Sequence, residues 1–477
     1  MINKKIMLCM SLLCAATGLQ AHDIANHLAQ ATTLRKHGDN QKAIAQLRQA
    51  LDLEPANHDA TSLLVDLLDE SGDYDAACTV LQQALCLAPH NVGFTHRLAC
   101  LCINIGRVEE ALDGFNDILN QIPHSTQTMY NSAYTLKMAG RVDEAIALYE
   151  KILMLQPDYE SAEFALGHAY LYKGDFNKGW QQHEHYLKRS HKNSELLRTL
   201  LLTNQLADKI ILLRPEGGLG DTLQFIRYAQ LLKEKGATII AAVQKPLVPL
   251  LTRCPYIDTV VPVQSPLPPC HEWVALMSLP AIFNSDEVTI PKNIPYLYPD
   301  PALVEQWGNF FQTNTHFKIG ICWQADVFND SSRPRVARRG MSLTHFYLLA
   351  QMPNISLYSL QQKDGTEQIQ HMPAPCTLNV FDEQFDNAHG AFMDSAAVMK
   401  HLDLVITVDT AIAHLAGALG TKVWLLLPYA TDWRWIVGRT DTPWYPSMRI
   451  FKQPNPFDWE SVMHEVEKEL KMLVEDK

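Results

Sequence analysis

Basic charge is scarce in this 477-residue chain: 40 Lys and Arg stand against 52 Asp and Glu, a net charge of −12. No basic run interleaves with aromatics, so a phosphate-rich polymer is repelled overall and nucleic acid is not expected as a partner. Beyond its first residues the chain lacks any apolar stretch long enough to span a bilayer, so no integral membrane segment is expected there. There is no low-complexity tract, and 47% apolar with 19% charged residues is an ordinary globular balance. The length allows two or three cores. Ten cysteines are present, but none has the paired spacing of a zinc or redox motif. After Cys9 and Cys14, the remaining Cys78, Cys86, Cys100, Cys102, Cys254, Cys270, Cys322 and Cys376 read as buried free thiols, which favours a reducing compartment. Metal ligands are equally thin. The sole Asp-x-Asp, Asp73-Tyr74-Asp75, falls in a turn, and His183, His185 and His191 do not share one helix face. Neither a Gly-x-Ser-x-Gly elbow nor a Cys-His signature occurs.

What is present is a ruler. Glycine falls at residues 38, 72, 106, 140 and 174 and proline at 55, 89, 123 and 157, both with a step of 34 residues. A stack of helix-turn-helix units needs such a constant length, because each unit buries its apolar face only against its neighbours. The glycines sit where a first helix stops and the backbone turns left-handed. The prolines follow a second helix, where continuing would lose a hydrogen bond and clash. Small residues recur at the helix crossing: Ala31, Ala99, Ala133 and Gly167 on first helices, Ala43, Ala77, Ala111 and Ala145 on second ones. This spacing predicts a tetratricopeptide solenoid of about five repeats over residues 22–190.

Ahead of it, Met1 to Lys5 is short and basic, Ile6 to Ala16 is apolar and of secretory length, and Leu19-Gln20-Ala21 resembles a cleavage site. Residues 1–21 therefore read either as a signal peptide, with leucine a poor choice before the cut, or as an apolar leader packing on the first repeat.

The fifth unit keeps Gly174 but places Lys178-Gly179-Trp180 where the second-helix pattern is expected, and no proline closes it. Terminal repeats depart in this way when one face meets something other than a repeat. Residues 187–208 complete the transition, after which short β runs alternate with helices. Strands are expected at Lys209–Arg214, Ala237–Val243 and Ile257–Pro262, with a helix over Thr222–Lys235 ended by Gly236. Residues 262–301 read as proline-rich loop with one short strand near Trp273. Phe317–Trp323, Ile355–Leu360, Asp403–Val408 and Lys422–Leu427 form a second series, with Asp458–Glu475 as a closing helix. Two parallel-sheet domains, 209–310 and 311–477, hinged near 300–316, would face each other across a cleft.

Two strand-to-helix turns stand out. In Gly217-Gly218-Leu219-Gly220-Asp221, positions without side chains let backbone amides approach a ligand, and the following helix end favours negative charge. A dinucleotide fingerprint fails because the third glycine is missing and the next strand ends in Gln244-Lys245-Pro246, without an acid for a ribose. A P-loop fails because no Gly-Lys-Ser/Thr follows. Asp221 is either a helix N-cap or first-turn acid, or a group that accepts a proton from a nucleophilic hydroxyl. The second turn is Asp409 to Gly420 (DTAIAHLAGALG), where Thr410 would cap a helix of small residues while free amides point at phosphate. His414, one turn on, either packs or donates to a phosphate oxygen. Arg333, Arg335, Arg338 and Arg339 would grip a diphosphate or form a solvated loop. Trp433-Arg434-Trp435 and Trp444-Tyr445-Pro446 read as packing more than as a platform for a ring.

GGLGD after the first strand and DTAIAHLAGALG after a late one resemble the ADP-heptose lipopolysaccharide heptosyltransferase group of GT-B glycosyltransferases. With the repeats ahead of them, GDFNKGW at the junction and LPYATDWRWIVGRTDTPWYPSMRIFKQ near the end, the chain is similar to TPR-containing bacterial members of that group. More distantly it is similar to TPR-fused O-GlcNAc transferases. The likeness extends from about residue 24 to the end. It implies an α-solenoid followed by two Rossmann-like β/α domains, moving a sugar from a nucleotide-sugar donor without a metal or other cofactor; hexosyl, heptosyl and N-acetylglucosaminyl transfer stay open. It also implies Asp221 as base and Asp409, Thr410 and His414 as the donor-diphosphate motif, with the Thr410 and Ala411 amides as the cradle. Gly218, Gly220, Arg338 and Arg339 are further expected donor contacts. The first β/α half is short, so a lipopolysaccharide acceptor does not follow, and a protein or peptide presented by the solenoid is as plausible. A cytoplasmic location is expected, or an exported or membrane-associated one if residues 1–21 act as a signal. The rival expectation is a protein-interaction scaffold whose transferase half is retained as structure only.

Overall fold

A computed structural model describes residues 21–189, 195–203, 205–373 and 376–475. The leader therefore lies outside the described residues up to position 20, as do parts of the 187–208 transition and the His185 and His191 side chains. The chain divides into two compact units, Met1–Thr135 and Leu136–Lys477.

The first unit is a run of helical hairpins: α1 (21–36), α2 (Asn40–Leu53), α3 (His58–Glu70), α4 (Tyr74–Leu87), α5 (Val92–Asn104), α6 (Val108–Gln121) and most of α7 (Thr126–Met138). The ruler works as its chemistry requires. Gly38, Gly72 and Gly106 have φ of 80°, 77° and 80°, a region that a side chain disfavours. Asn57, Asp73 and Asn91 each cap a helix through the side chain, accepting from the amides of Ala60, Ala76 and Phe94. The Asp-x-Asp is thus a cap. Ala31, Ala43, Ala77, Ala99 and Ala111 are buried, where small side chains let helices approach. Not every thiol is buried as expected. Cys78, Cys102, Cys254 and Cys322 are, whereas Cys86 and Cys270 are exposed, on an outward helix position and a loop, and Cys100 and Cys376 lie between.

The second unit opens with the rest of the hairpin run: α8 (Val142–Leu155), α9 (Glu160–Lys173), α10 (Phe176–Arg189), then α11 (Glu195–Leu202). The odd residues of the fifth repeat now have a cause. A Cβ on Gly179 would stand 2.5 Å from Leu171 Cγ, so glycine is what lets α10 cross α9. Next to it, Trp180 is buried and its Nε1 donates to the Ser285 carbonyl at 3.1 Å, tying the last hairpin to the β/α region.

That region begins with β1 (Ile210–Arg214), α12 (Leu219–Phe225), α13 (Tyr228–Glu234), β2 (Thr238–Val243), α14 (Val248–Leu251), β3 (Thr259–Pro262), β4 (Glu272–Ala275) and α15 (Leu279–Ile282). The strands form a parallel sheet of order β3-β2-β1-β4. It continues with α16 (Pro301–Phe311), β5 (Phe317–Cys322), α17 (Val327–Ser331), α18 (Tyr347–Ala350), β6 (Ile355–Ser359), β7 (Leu378–Asn379), α19 (Met393–Val398), β8 (Leu404–Val408), α20 (Ala411–Leu419), β9 (Val423–Leu427), β10 (Met448–Lys452) and α21 (Trp459–Glu475). These strands form a second parallel sheet, order β10-β9-β8-β5-β6-β7. Its central strands β8 and β9 are buried at every residue, as expected where helices cover both faces. The core joins Ile319, Ile321, Leu404, Ile406 and Leu426 to Val462, Val466 and Leu470 of α21.

Three expectations change in detail. The helix of residues 222–235 is two helices, and the first starts at Leu219, so Asp221 is already helical. Residues 301–311, assigned to the hinge, are helical because Asp300 caps α16 and Pro301 stands at its first position, where its missing N–H has no partner to lose. β7 and β10 were not anticipated; β10 lies at a sheet edge, its arginine and lysine breaking the apolar pattern.

Candidate functional site

At the C-terminal end of β1 the chain turns through Gly217 and Gly218 into α12. Asp221 occupies the third position of that helix and its Oδ2 accepts the Gly218 amide at 2.7 Å, so the first-turn acid reading holds locally. A Cβ on Gly217 would fall 2.0 Å from that oxygen, whereas one on Gly218 would only reach it at 3.7 Å. Gln244, which stands where a dinucleotide site would carry an acid, braces the turn instead. Its Nε2 donates to the Gly217 carbonyl at 3.0 Å, and its Oε1 accepts from Thr222 Oγ1 at 2.9 Å.

α12 lies against α20, and Gly220 stands in that contact: a Cβ there would stand 2.7 Å from His414 Cδ2 and 3.7 Å from Ala411 Cα. Gly220 is therefore occupied by helix packing. Thr410 is the N-cap residue of α20 with extended backbone, yet its side chain makes no capping bond. Its Oγ1 instead faces Thr407 Oγ1 at 3.4 Å and Cys322 Sγ at 3.8 Å. The first-turn amides, Ala411 included, have no carbonyl upstream within the helix. His414 is buried. Its Nδ1 lies 2.8 Å from Tyr445 Oη, its ring stacks on Trp435 at 5.6 Å, and Nε2 is 4.0 Å from Asp409 Oδ1. Burial, aided by the nearby Arg434 cation, lowers its pKa to about 3, so the imidazole is neutral at physiological pH. Burial raises the Asp409 carboxyl above its ordinary range, against the pull of Arg339.

The four loop arginines part company. Arg338 turns back on the carbonyls of Arg333 and Ser331, Arg333 lies 3.7 Å from Asp330, and Arg335 covers the Phe457 ring at 5.0 Å. Arg339 alone among the four reaches the α20 turn, donating to the Asp409 carbonyl at 3.0 Å while also bonding Asp330 at 3.1 Å. Buried Asp330 organises this loop by also accepting the Arg339 and Gly340 amides.

One residue in the aromatic segment exceeds the packing role assigned to its neighbours. Trp433, Trp435, Trp444 and Tyr445 are buried, as read from sequence. Arg434 lies among them with three polar partners: Nη2 to Asp221 Oδ1 at 2.5 Å, Nη1 to Asp432 Oδ1 at 2.8 Å and Nε to Gln224 Oε1 at 2.8 Å. Burial would raise the Asp432 carboxyl, but Arg434 outweighs it and holds that group well below the usual carboxylate range. Arg227 is a second buried cation. It donates to the Trp444 carbonyl at 2.7 Å and to Tyr296 Oη at 2.8 Å and packs on the Tyr445 ring at 4.7 Å. Both arginines join a residue of the first β/α half to one of the second. An arginine inside an apolar segment was the sequence signal for Arg434; its partners on α12, 210 and 213 residues upstream, were not readable.

The fold therefore brings Asp221, Asp409, Thr410, Ala411, His414 and Arg339 to one place, where the N-termini of α12 and α20 meet, and leaves Arg338 to its own loop. Residues 390–454, which hold α20 and Arg434, match the family model for glycosyltransferase family 9 (heptosyltransferase). Tetratricopeptide repeat models match residues 28–92, 70–131 and 126–159. Protein FlbA of Caulobacter vibrioides is 29% identical over 199 residues, which are 41% of this chain and 32% of FlbA. The chain thus spans about a third of that relative. Among solved structures, MamA aligns with 36% of this chain and 94% of its own at 20% identity and a TM-score of 0.34. YrrB, described as a TPR protein with an unusual peptide-binding site, aligns with 37% of this chain and 90% of its own at 17% identity and a TM-score of 0.31. Among the described residues no helix is long and apolar enough to cross a membrane.

Proposed function

We propose that the chain moves a sugar from a nucleotide-sugar donor to an acceptor hydroxyl without a metal, and that its tetratricopeptide repeats recruit a protein or peptide acceptor. The observation that carries this reading is the meeting of the α20 N-terminus, inside the segment that matches family 9, with the N-terminus of α12. The α20 turn offers the Thr410 and Ala411 amides and the Arg339 guanidinium to a diphosphate, and Asp221 stands across from it on α12. The acceptor oxygen attacks the anomeric carbon, and Asp221 takes its proton. The bond to the diphosphate breaks with its electron pair leaving on oxygen, where amides and Arg339 meet the charge. Neutral His414 orients this end of α20 through Tyr445.

A second reading has its own observation. Both Asp221 oxygens are engaged, one by the Gly218 amide and one by Arg434, which suits a structural acid in a protein-interaction scaffold.

Thermal shift against UDP-, ADP-, GDP- and CMP-sugars, with and without EDTA, tests both. Stabilisation by one nucleotide class, unchanged by EDTA, supports the transferase; a folded protein that responds to none supports the scaffold. For the transferase, Asp221→Asn loses turnover and keeps donor affinity, and unchanged turnover removes the base. We place the protein where nucleotide sugars are made, in the cytoplasm; intact mass showing cleavage after Ala21 would instead indicate export.

A further inference from the structure

The segment that carries Arg434 does not rest on the β/α core alone. Thr431 Oγ1 bonds Tyr172 Oη at 3.0 Å, and the Val437 amide donates to the Tyr172 carbonyl at 2.9 Å, so both ends of residues 431–437 are fastened to one residue of α9. Between these ends, the Trp433 ring meets His168 of α9 at 5.8 Å and Trp180 of α10 at 5.4 Å. It also stacks under the Arg434 guanidinium at 4.4 Å. Arg434 in turn holds Asp221 Oδ1 and the Gln224 side chain, one turn apart on α12. The path from the last repeat to Asp221 is an unbroken series of buried and half-buried contacts, and each link has directional chemistry: a hydroxyl pair, a backbone bond, a cation on a ring, an ion pair.

We infer that Arg434 is the positioning residue for Asp221 and that α9 of the last repeat sets where Arg434 stands. The fifth hairpin is then part of the catalytic centre and not a detachable binding arm. Two facts favour this over simple packing. Arg434 directs separate nitrogens to Asp221, Asp432 and Gln224, a fixed fork that lysine does not reproduce. And Tyr172 contributes its hydroxyl to a segment more than 250 residues away, although a buried phenylalanine would pack equally well. The inference rests on the transferase reading for its word "catalytic", but the placement of α12 is testable without turnover.

The experiment uses the full chain as wild type, Arg434→Ala, Arg434→Lys and Tyr172→Phe, with two readouts. The first is hydrogen exchange of the amides in 217–225, with β8 as internal control. Arg434→Ala should speed exchange in that segment about tenfold or more and Tyr172→Phe by a smaller factor, β8 remaining protected. The second, with the donor found by thermal shift, is steady-state transfer. Arg434→Ala should lower kcat by about 10²-fold with KM for the donor little changed. Added guanidinium should restore part of the rate, and Arg434→Lys should restore less than wild type. Unchanged exchange in both Arg434→Ala and Tyr172→Phe overturns the inference, whatever the wild type catalyses. Altered exchange in the variants, together with a wild type that neither binds nor transfers any nucleotide sugar, keeps the positioning and removes the transferase reading. A rate loss without guanidinium rescue, with KM rising in step, reduces Arg434 to packing and also overturns it. If Arg434→Ala does not fold, Tyr172→Phe and Arg434→Lys carry the same comparison.

Discussion

Substituting Gly220 by alanine separates two uses of a glycine beside a candidate site. If Gly220 is there for helix packing, the added Cβ meets His414 Cδ2 at 2.7 Å and Nε2 at 3.3 Å. The ring has little room to yield, since it is stacked on Trp435 and bonded to Tyr445. Overpacking of this kind costs about 1–3 kcal/mol. Alanine in a helix returns about 0.5–1 kcal/mol, and no left-handed angle has to be maintained at this position. The net expectation is a loss of about 1–2 kcal/mol, or about 2–4 °C in the melting temperature of a unit this large. The decisive measurement is a cycle with His414→Ala, followed by thermal unfolding of all four proteins. Once the ring is gone, the clash disappears and only the helix gain remains. Gly220→Ala should then raise the melting temperature slightly, giving a coupling of about 2 kcal/mol. Equal losses in both backgrounds would refute the packing argument. A Gly220→Ala protein of unchanged stability but weaker nucleotide binding would return Gly220 to the ligand.

Other outcomes follow from the same geometry. Gly218→Ala, whose Cβ reaches only Asp221 Oδ2 at 3.7 Å, should cost less than about 1 kcal/mol. Gly217→Ala should instead displace that carboxylate and lower turnover, and equal effects at the two positions would contradict the geometry. In the repeats, Gly38→Ala should cost about 1–2 kcal/mol from its φ of 80° alone, since nothing lies within 4 Å of the new carbon; a cost above about 3 kcal/mol in urea unfolding would mean a neighbour is involved. His414 has a folded-state pKa of about 3, below its unfolded value near 6.5. Its contribution to stability is full above that unfolded value and is lost as pH falls toward 3, at up to about 1.4 kcal/mol per pH unit. The slope of stability against pH between 6 and 4 should therefore be flatter in His414→Gln than in wild type, and identical slopes would place the histidine in contact with water. Trp180→Ala removes a buried ring and its bond to Ser285 and should cost about 3–5 kcal/mol, read as an early melting transition; a loss under 1 kcal/mol would detach the last hairpin from the β/α region.

Periodicity by itself determines most of the architecture. A step of 34 residues fixes helical hairpins because left-handed turns tolerate glycine and helix ends tolerate proline, and both are local requirements. Apolar runs such as Ile210–Leu213 and Leu404–Val408 could be placed as strands of covered parallel sheets for the same reason: burial on both faces leaves no alternation to misread. The two anion-ready turns were also local, since a strand, a polar or glycine turn and a helix N-terminus are contiguous in the chain. Only tertiary structure decided what those turns face. That Gly220 lies against His414 depends on two β/α halves meeting, while Gln244 bracing the glycine turn and Arg339 being the one loop arginine directed at Asp409 depend on distant residues meeting within one half. The bond from Arg434 to Asp221 joins residues 213 positions apart, and no period or propensity encodes a contact at that separation. The departure at Lys178-Gly179-Trp180 was visible as a break in the ruler, but its cause, a helix crossing at Leu171 and a carbonyl on Ser285, was not. Local conformation follows from which angles and faces each residue permits. The site follows from which distant side chains share one low-dielectric space, where every buried charge must find its partner.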